Sequence, residues 1–223
     1  MSSVRPFGEA ALLVELEGAE MAQALAADLR AAGPAGVLEA VPGLASVLVE
    51  FDPLAADASN LADLLARRLQ DLPRVSAVVG RERTIPVVYG GEHGPDLAAV
   101  ASLCGLSEAD VAERHAATQF RVLFDGFAPG FAYLGDLPPD IQAPRLATPR
   151  TRTPAGSVAL AGPMSGIYPA ELPGGWRVIG RTPIALFDPM REPPAYLAPG
   201  DTVRFHPIRP SDWDAVAGPA ADW

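Results

Sequence analysis

Residues 126–183 read GFAPGFAYLGDLPPDIQAPRLATPRTRTPAGSVALAGPMSGIYPAELPGGWRVIGRTP, and glycine or proline interrupts this stretch at almost every turn. Strand candidates recur within it and on both sides: residues 120–124, 157–161, 176–179, 184–187 and 202–206. Short extended runs separated by turn residues point to a β-barrel or sandwich. The same stretch holds five arginines, Arg145, Arg150, Arg152, Arg177 and Arg181, against three acids, in a chain of formal net charge -10. A local cationic excess of that kind suits anion binding, because guanidinium forks grip carboxylate or phosphate and glycines bring backbone N–H groups close to a ligand. Solvated arginines on proline-rich turns are the alternative reading.

Upstream the pattern changes. Residues 11–16 alternate as a strand, and residues 20–32 follow as a helix ended by Gly33-Pro34. Residues 37–51 carry extended runs around Pro42-Gly43, and a second helix spans 60–72, stopped before Pro73. In that helix Leu61, Leu64, Leu65 and Leu69 share one face, leaving Arg67 and Arg68 outward. The expectation is a strand-helix-strand-helix unit with its helices on one side of a small sheet. Gly33 and Gly36 do not open a helix after a strand, so they are turn residues and not a dinucleotide loop. The shift in pattern suggests two domains, a small α/β domain at residues 1–80 and a strand-rich barrel or sandwich domain at 81–223, an α+β chain joined near residues 79–83. After an apolar run at 84–89 come GGEHGPDL and two helical segments. The second opens with Ser107, in a capping box that has Asp110 where Glu or Gln is usual.

Composition excludes several classes of function. At 223 residues, 49% hydrophobic and 20% charged, the chain is long and apolar enough to bury a core, so it is not disordered. No apolar run approaches the roughly 18 residues of a spanning helix, and the N-terminus lacks the basic region and cleavage site of a signal peptide, which makes the cytoplasm the expected address. The single cysteine, Cys104, excludes an intramolecular disulfide and a thiolate cage, and its expected role is a small buried hydrophobe. A pI near 4.7 argues against nucleic acid or an anionic membrane as partner. All 17 basic residues are arginine. The chain therefore supplies no P-loop lysine and no Schiff-base lysine.

Candidate chemistry is sparse. His93, His115 and His206 lack any HxH or HxxxH spacing, so no metal site is expected. His115 lies one turn after Val111 on the same helix face, where a satisfied structural histidine is commoner than a catalyst. Ser157 follows Gly156, but the nucleophile-elbow pattern is absent, which leaves Ser157 a backbone or hydroxyl contact. Glu92 and Asp96 flank a glycine turn and suit a general base or a cation contact, with the N-cap of the following helix as the other role for Asp96.

The ordered run GFAPGFAYL at 126–134, Pro149-Arg150, PAGS at 154–157, GIYP at 166–169, PGGW at 173–176 and GRTP at 180–183 resembles the allophanate hydrolase subunit 1 family. That family includes the PxpB subunit of bacterial ATP-dependent 5-oxoprolinase and the kinase inhibitor KipI. Residues 85–97 and His115 also fit it, so the likeness extends over most of 84–206. It implies a small α/β domain followed by a cyclophilin-like β-barrel, working as a hydrolase subunit together with a KipA/PxpC-type partner of the allophanate hydrolase subunit 2 family. A PxpA-type lactam-hydrolysing subunit would complete the delivery of L-glutamate, with ATP as co-substrate together with Mg2+. The resemblance implies Glu92, Asp96 and His115 as catalytic candidates. It implies Arg145, Arg150, Arg152 and Arg181, with Gly156, Ser157, Gly166, Gly174 and Gly175, as contacts for substrate carboxylate or ATP phosphate, and Tyr168 and Trp176 as walls of a dry pocket. Barrel core or subunit interface is the other role open to those two aromatics. One departure stands out: PMSGIYP at 163–169 replaces a Gly-Gln-Thr-Gly-Ile-Tyr-Pro type of sequence, and Met164 cannot supply a glutamine's hydrogen bonds. The alternatives are a subunit acting on allophanate or another urea-type amide, a KipI-like kinase inhibitor, and a prolyl isomerase argued from the barrel alone.

Overall fold

Alternation of apolar residues at Leu12, Val14, Val47, Val49 and Phe51 builds the sheet of the first unit, Met1–Val79. In the computed structural model, which describes residues 3–72 and 80–217, that unit runs β1 (Ser3–Pro6), β2 (Ala11–Glu15), α1 (Ala19–Ala32), β3 (Val37–Pro42), β4 (Ser46–Phe51) and α2 (Ala58–Asp71). The four strands pair antiparallel in the order β1-β2-β4-β3. Only one face of the sheet is buried. Ala22, Leu25, Ala26 and Leu29 of α1 and Leu61 and Leu65 of α2 pack onto it as one core, as the helical spacing requires.

Local signals set the helix ends. Gly33 adopts the left-handed conformation and its N–H returns to the Leu29 carbonyl, closing α1. The Asp57 carboxylate accepts from the N–H groups of Ser59 and Asn60, so α2 starts two residues before the expected position 60. Arg68 is not simply outward, because it pairs with Asp28 of α1 at 2.6 Å. The leading strand β1 lacks a sequence signal, since Ser-Val-Arg-Pro offers a single apolar residue. The expected join at residues 79–83 begins outside the described residues.

The second unit, Gly80–Trp223, is a closed barrel with the strand order β10-β7-β6-β13-β5-β12-β9. Its elements are β5 (Glu82–Tyr89), α3 (Leu97–Cys104), α4 (Glu108–Ala117), β6 (Gln119–Asp125), β7 (Ala132–Gly135), β8 (Arg150–Thr153), β9 (Ser157–Ala161), β10 (Met164–Ile167), β11 (Leu172–Gly174), β12 (Arg177–Arg181), β13 (Thr202–Pro207) and a short α5 (Trp213–Val216). The β13–β5 pair is parallel and the other barrel pairs are antiparallel. Closure leaves no free sheet edge. Strands β8 and β11 form a separate two-stranded ribbon.

The barrel expectation therefore holds, with local corrections. Residues 184–187 form no strand and contribute only bridge positions at Ile184 and Phe187, the latter paired with Ala195, because Pro183 and Pro189 bracket too short a run. The four-residue strands β7, β8 and β10 and the three-residue β11 escape recognition because glycine and proline crowd them. Ser107 and Asp110 form the expected reciprocal capping box of α4. Cys104 is half-buried, with its thiol pushed up by burial and its Sγ directed at the Gln142 carbonyl. No helix among the described residues is long and apolar enough to cross a membrane.

Candidate active-site pocket

A pocket of about 260 Å3 opens beside the barrel, walled by rings from three places in the chain. The β6–β7 loop and β7 contribute Phe127, Phe131 and Tyr133. Tyr168 follows β10, and Trp176 lies between ribbon and barrel with Gly174 and Gly175. Phe131 is the hub. It meets Tyr168 at 5.3 Å and 89°, Trp176 at 5.8 Å and 86°, and Phe127 at 5.4 Å and 81°. These edge-to-face contacts set positive ring edges against negative faces and hold the walls rigid.

Two glycines make the packing possible. A Cβ on Gly174 would fall 2.0 Å from the Tyr168 Oη, and one on Gly166 would lie 3.1 Å from both Phe131 and Trp176. Tyr168 is 1% exposed, so it has no room to retreat.

Phe127 behaves differently. It takes a φ of 70° and is 59% exposed, leaving an apolar ring at the pocket mouth. A non-glycine residue held there stores about 1–3 kcal/mol of backbone strain, a cost that tends to gather at ligand clamps.

The pocket is almost without charge. Arg145 is the one charged residue lining it among the described residues, its guanidinium 5.8 Å from the Trp176 ring centre. Burial pushes the Tyr133 and Tyr168 phenols upward, against the opposing pull on Tyr168 of a hydrogen bond to the Trp176 backbone. Both phenols therefore stay neutral. Such a surface can stack a flat polar ring, and Arg145 can meet an anionic group on it. Among the described residues its lining holds no carboxylate or imidazole to act as general base.

Five sequence candidates thus share this pocket: Arg145, Tyr168, Gly174, Gly175 and Trp176. The others lie elsewhere. Asp96 stands at the N-cap position of α3 but its carboxylate does not cap the helix. It accepts instead from the Val178 N–H at 2.7 Å and from Arg150 Nη2 at 2.6 Å, which ties the half-buried Arg150 to the start of α3. Arg152 is exposed beside Glu171 at 3.4 Å. Arg181 donates to the Ala155 carbonyl and lies 5.5 Å from the Trp213 ring centre. Glu92 is exposed next to His93, whose ring stacks on Trp213 at 4.8 Å. Gly156 is a buried turn residue, φ 80°, facing the Thr182 carbonyl, and Ser157 is buried in β9. Gly166 sits inside β10 between β7 and β9, so it serves ring packing and does not offer a phosphate loop.

His115 is fully buried between Phe120 and Phe205. Its Nδ1 is 2.7 Å from the Tyr89 hydroxyl and its Nε2 is 2.9 Å from Ser165 Oγ. Ser165 donates to the Ala159 carbonyl, so its oxygen accepts from Nε2–H, and Tyr89 then donates to Nδ1. Burial lowers the imidazole pKa to about 3 and raises the Tyr89 phenol, consistent with this neutral tautomer. The geometry assigns His115 to the core.

Sequence reasoning did not single out Phe127, Phe131, Tyr133, Pro149 and Pro173 as pocket residues, although the first three lie in the GFAPGFAYL run. It also passed over Asp125, which ends β6 just before the pocket loop. Its Oδ1 is buried without a partner, and burial, then the charge of Asp201, raises its carboxyl to about 7. A larger hollow of about 920 Å3 in the first unit, lined by Val4, Met21 and Leu69 with Glu17 and Asp63, offers carboxylates and, among the described residues, no arginine. Its charge is wrong for an anionic ligand.

The carboxyltransferase domain family, subdomain C and D, matches residues 2–197. The chain is 48% identical over 174 residues to the 5-oxoprolinase B subunit of Escherichia coli O157:H7, covering 77% of this chain and 78% of that protein. It is 39% identical over 190 residues to the 5-oxoprolinase B subunit of Bacillus subtilis, covering 81% and 79%. Among solved structures, the Kluyveromyces lactis urea amidolyase superposes with a TM-score of 0.79 at 22% identity, over 96% of this chain and 15% of that longer one, a likeness of fold. The chain belongs to the carboxyltransferase subdomain C and D family, on the branch of the 5-oxoprolinase B subunits.

Proposed function

We propose that this chain is the B subunit of an ATP-dependent 5-oxoprolinase and that its aromatic pocket holds the substrate's lactam ring. The observation that carries the reading is a pocket of about 260 Å3, walled by five rings and edged by one arginine, in a chain 48% identical to a 5-oxoprolinase B subunit. 5-Oxoproline is a small flat amide with one carboxylate. Its ring suits the faces of Tyr133 and Trp176, and its carboxylate suits Arg145. The volume falls below the roughly 300–1,000 Å3 of pockets for larger ligands, which favours the lactam over ATP.

In this reading the chain binds, orients and dries the substrate, the neutral phenol of Tyr133 donates a hydrogen bond to it, and the buried Tyr168 holds the wall in place. Phosphoryl transfer from ATP to the lactam oxygen would release ADP and weaken the amide, and two waters would then open the ring and release phosphate and L-glutamate. Because the pocket lining offers no base among the described residues and the chain no lysine, a KipA/PxpC-type partner supplies the ATP and Mg2+ contacts, and a PxpA-type subunit serves the hydrolytic step. The complex would work in the cytoplasm.

The test is to isolate the tagged chain with its partners and follow ATP hydrolysis with and without 5-oxoproline. A 5-oxoproline-dependent rate supports the reading, and a stable complex without one refutes it. The chain is also 25% identical over 214 residues to the urea amidolyase of Saccharomyces cerevisiae, so a urea-type amide is the second reading. Ammonia release from allophanate would support that alternative.

A further inference from the structure

We propose that Asp96 and Arg150 are a positioning pair that sets the ribbon wall of the aromatic pocket, an inference that rests on that pocket holding the lactam. The Asp96 side chain is 9% exposed and stands at the start of α3, outside the pocket lining. One of its oxygens accepts from Arg150 Nη2 at 2.6 Å and the other from the Val178 N–H at 2.7 Å. One carboxylate therefore joins two separate pieces of chain. Arg150 lies opposite Gly174 in the β8–β11 register, and Pro149 and Gly174 line the pocket. Val178 is two residues past Trp176 and packs in the same aromatic cluster.

The ribbon needs such a tie, because β8 and β11 pair with each other and with no barrel strand among the described residues. Without the tie, the Gly174–Gly175 edge could move relative to Tyr168 and Trp176, and the pocket would change shape. Arg150 Nη1 is buried without a partner. A partly exposed ion pair that leaves one buried donor unsatisfied contributes little net stability, so geometry is the better account of why the pair is built this way.

The test uses the assembled complex, with KM for 5-oxoproline, KM for ATP, kcat and Tm measured for Asp96→Asn and Arg150→Lys. Asp96→Asn keeps an acceptor for Val178 and removes the ion pair, while Arg150→Lys keeps the charge and loses the fork. The expected result is a KM for 5-oxoproline raised about tenfold in Asp96→Asn and by less in Arg150→Lys, with the KM for ATP unchanged. A lowered Tm with both KM values unchanged would show a structural pair only and overturn the inference. Wild-type complex that turns over without any 5-oxoproline dependence would instead remove the pocket assignment beneath it.

Discussion

Gly174→Ala is the smallest perturbation that reaches the pocket. The added Cβ would stand 2.0 Å from the Tyr168 Oη, 2.7 Å from Cζ and 2.9 Å from Cε1. That is about 1 Å or more inside the approach that packed atoms tolerate. Tyr168 is 1% exposed and stands edge-on to Phe131 at 5.3 Å, so the strain must move either the ring or the ribbon. Overpacking of this kind costs about 1–3 kcal/mol, equivalent to a fall in Tm on the order of 5 °C. A displacement of about 1 Å in a binding wall can also reduce turnover by roughly 100-fold. The assay pairs thermal unfolding with 5-oxoproline-dependent turnover for Gly174→Ala, Tyr168→Phe and the double variant. Removing the hydroxyl deletes the 2.0 Å contact and leaves those at 2.7 and 2.9 Å, so the alanine should cost less in the Tyr168→Phe background. Wild-type stability and turnover in Gly174→Ala, or an identical penalty in both backgrounds, would refute the close-contact argument.

The remaining predictions concern the surroundings of the pocket. His115, with its folded pKa lowered to about 3, binds its proton more weakly than in the unfolded chain, so stability falls with falling pH through the window from about 6.5 to about 3. Between pH 7 and pH 5 this amounts to about 2 kcal/mol. Urea unfolding of wild type against His115→Gln should show a difference that shrinks by that amount on acidification, and a pH-independent difference would contradict the buried neutral state. Ser107→Ala removes half of the α4 capping box and should destabilise the barrel unit by about 1 kcal/mol in the same assay, with KM for 5-oxoproline unchanged.

Sequence carried the elements whose signals are local. Leucine spacing gave α2, the Gly33-Pro34 stop gave the end of α1, and Ser107 with Asp110 gave the start of α4. Strand spacing narrowed the second domain to a barrel or sandwich because turn residues mark its corners, and the ordered motifs gave the family and, through it, the barrel. The pocket was only half legible. Trp176, Tyr168 and Arg145 could be suspected from their motifs, but Phe131 becomes a hub only through ring angles that no spacing encodes. The left-handed backbone of Phe127 is equally hidden, since a phenylalanine gives no hint of it. The helix-cap role open to Asp96 fails for a related reason. A cap is a local bond, whereas its actual partners, Arg150 and Val178, lie 54 and 82 positions away along the chain. The arginine excess likewise dissolves on folding: Arg150, Arg177 and Arg181 each bond to the chain's own groups and Arg152 pairs with Glu171, leaving Arg145 at the pocket.

The central claim is that the aromatic pocket holds the lactam, and a change to its largest wall tests this most directly. In the complex purified through the tagged chain, ATP hydrolysis should rise and saturate with 5-oxoproline, and Trp176→Leu should raise the KM for 5-oxoproline at least tenfold while leaving the KM for ATP unchanged. An unaltered KM for 5-oxoproline in a folded Trp176→Leu complex would contradict the account.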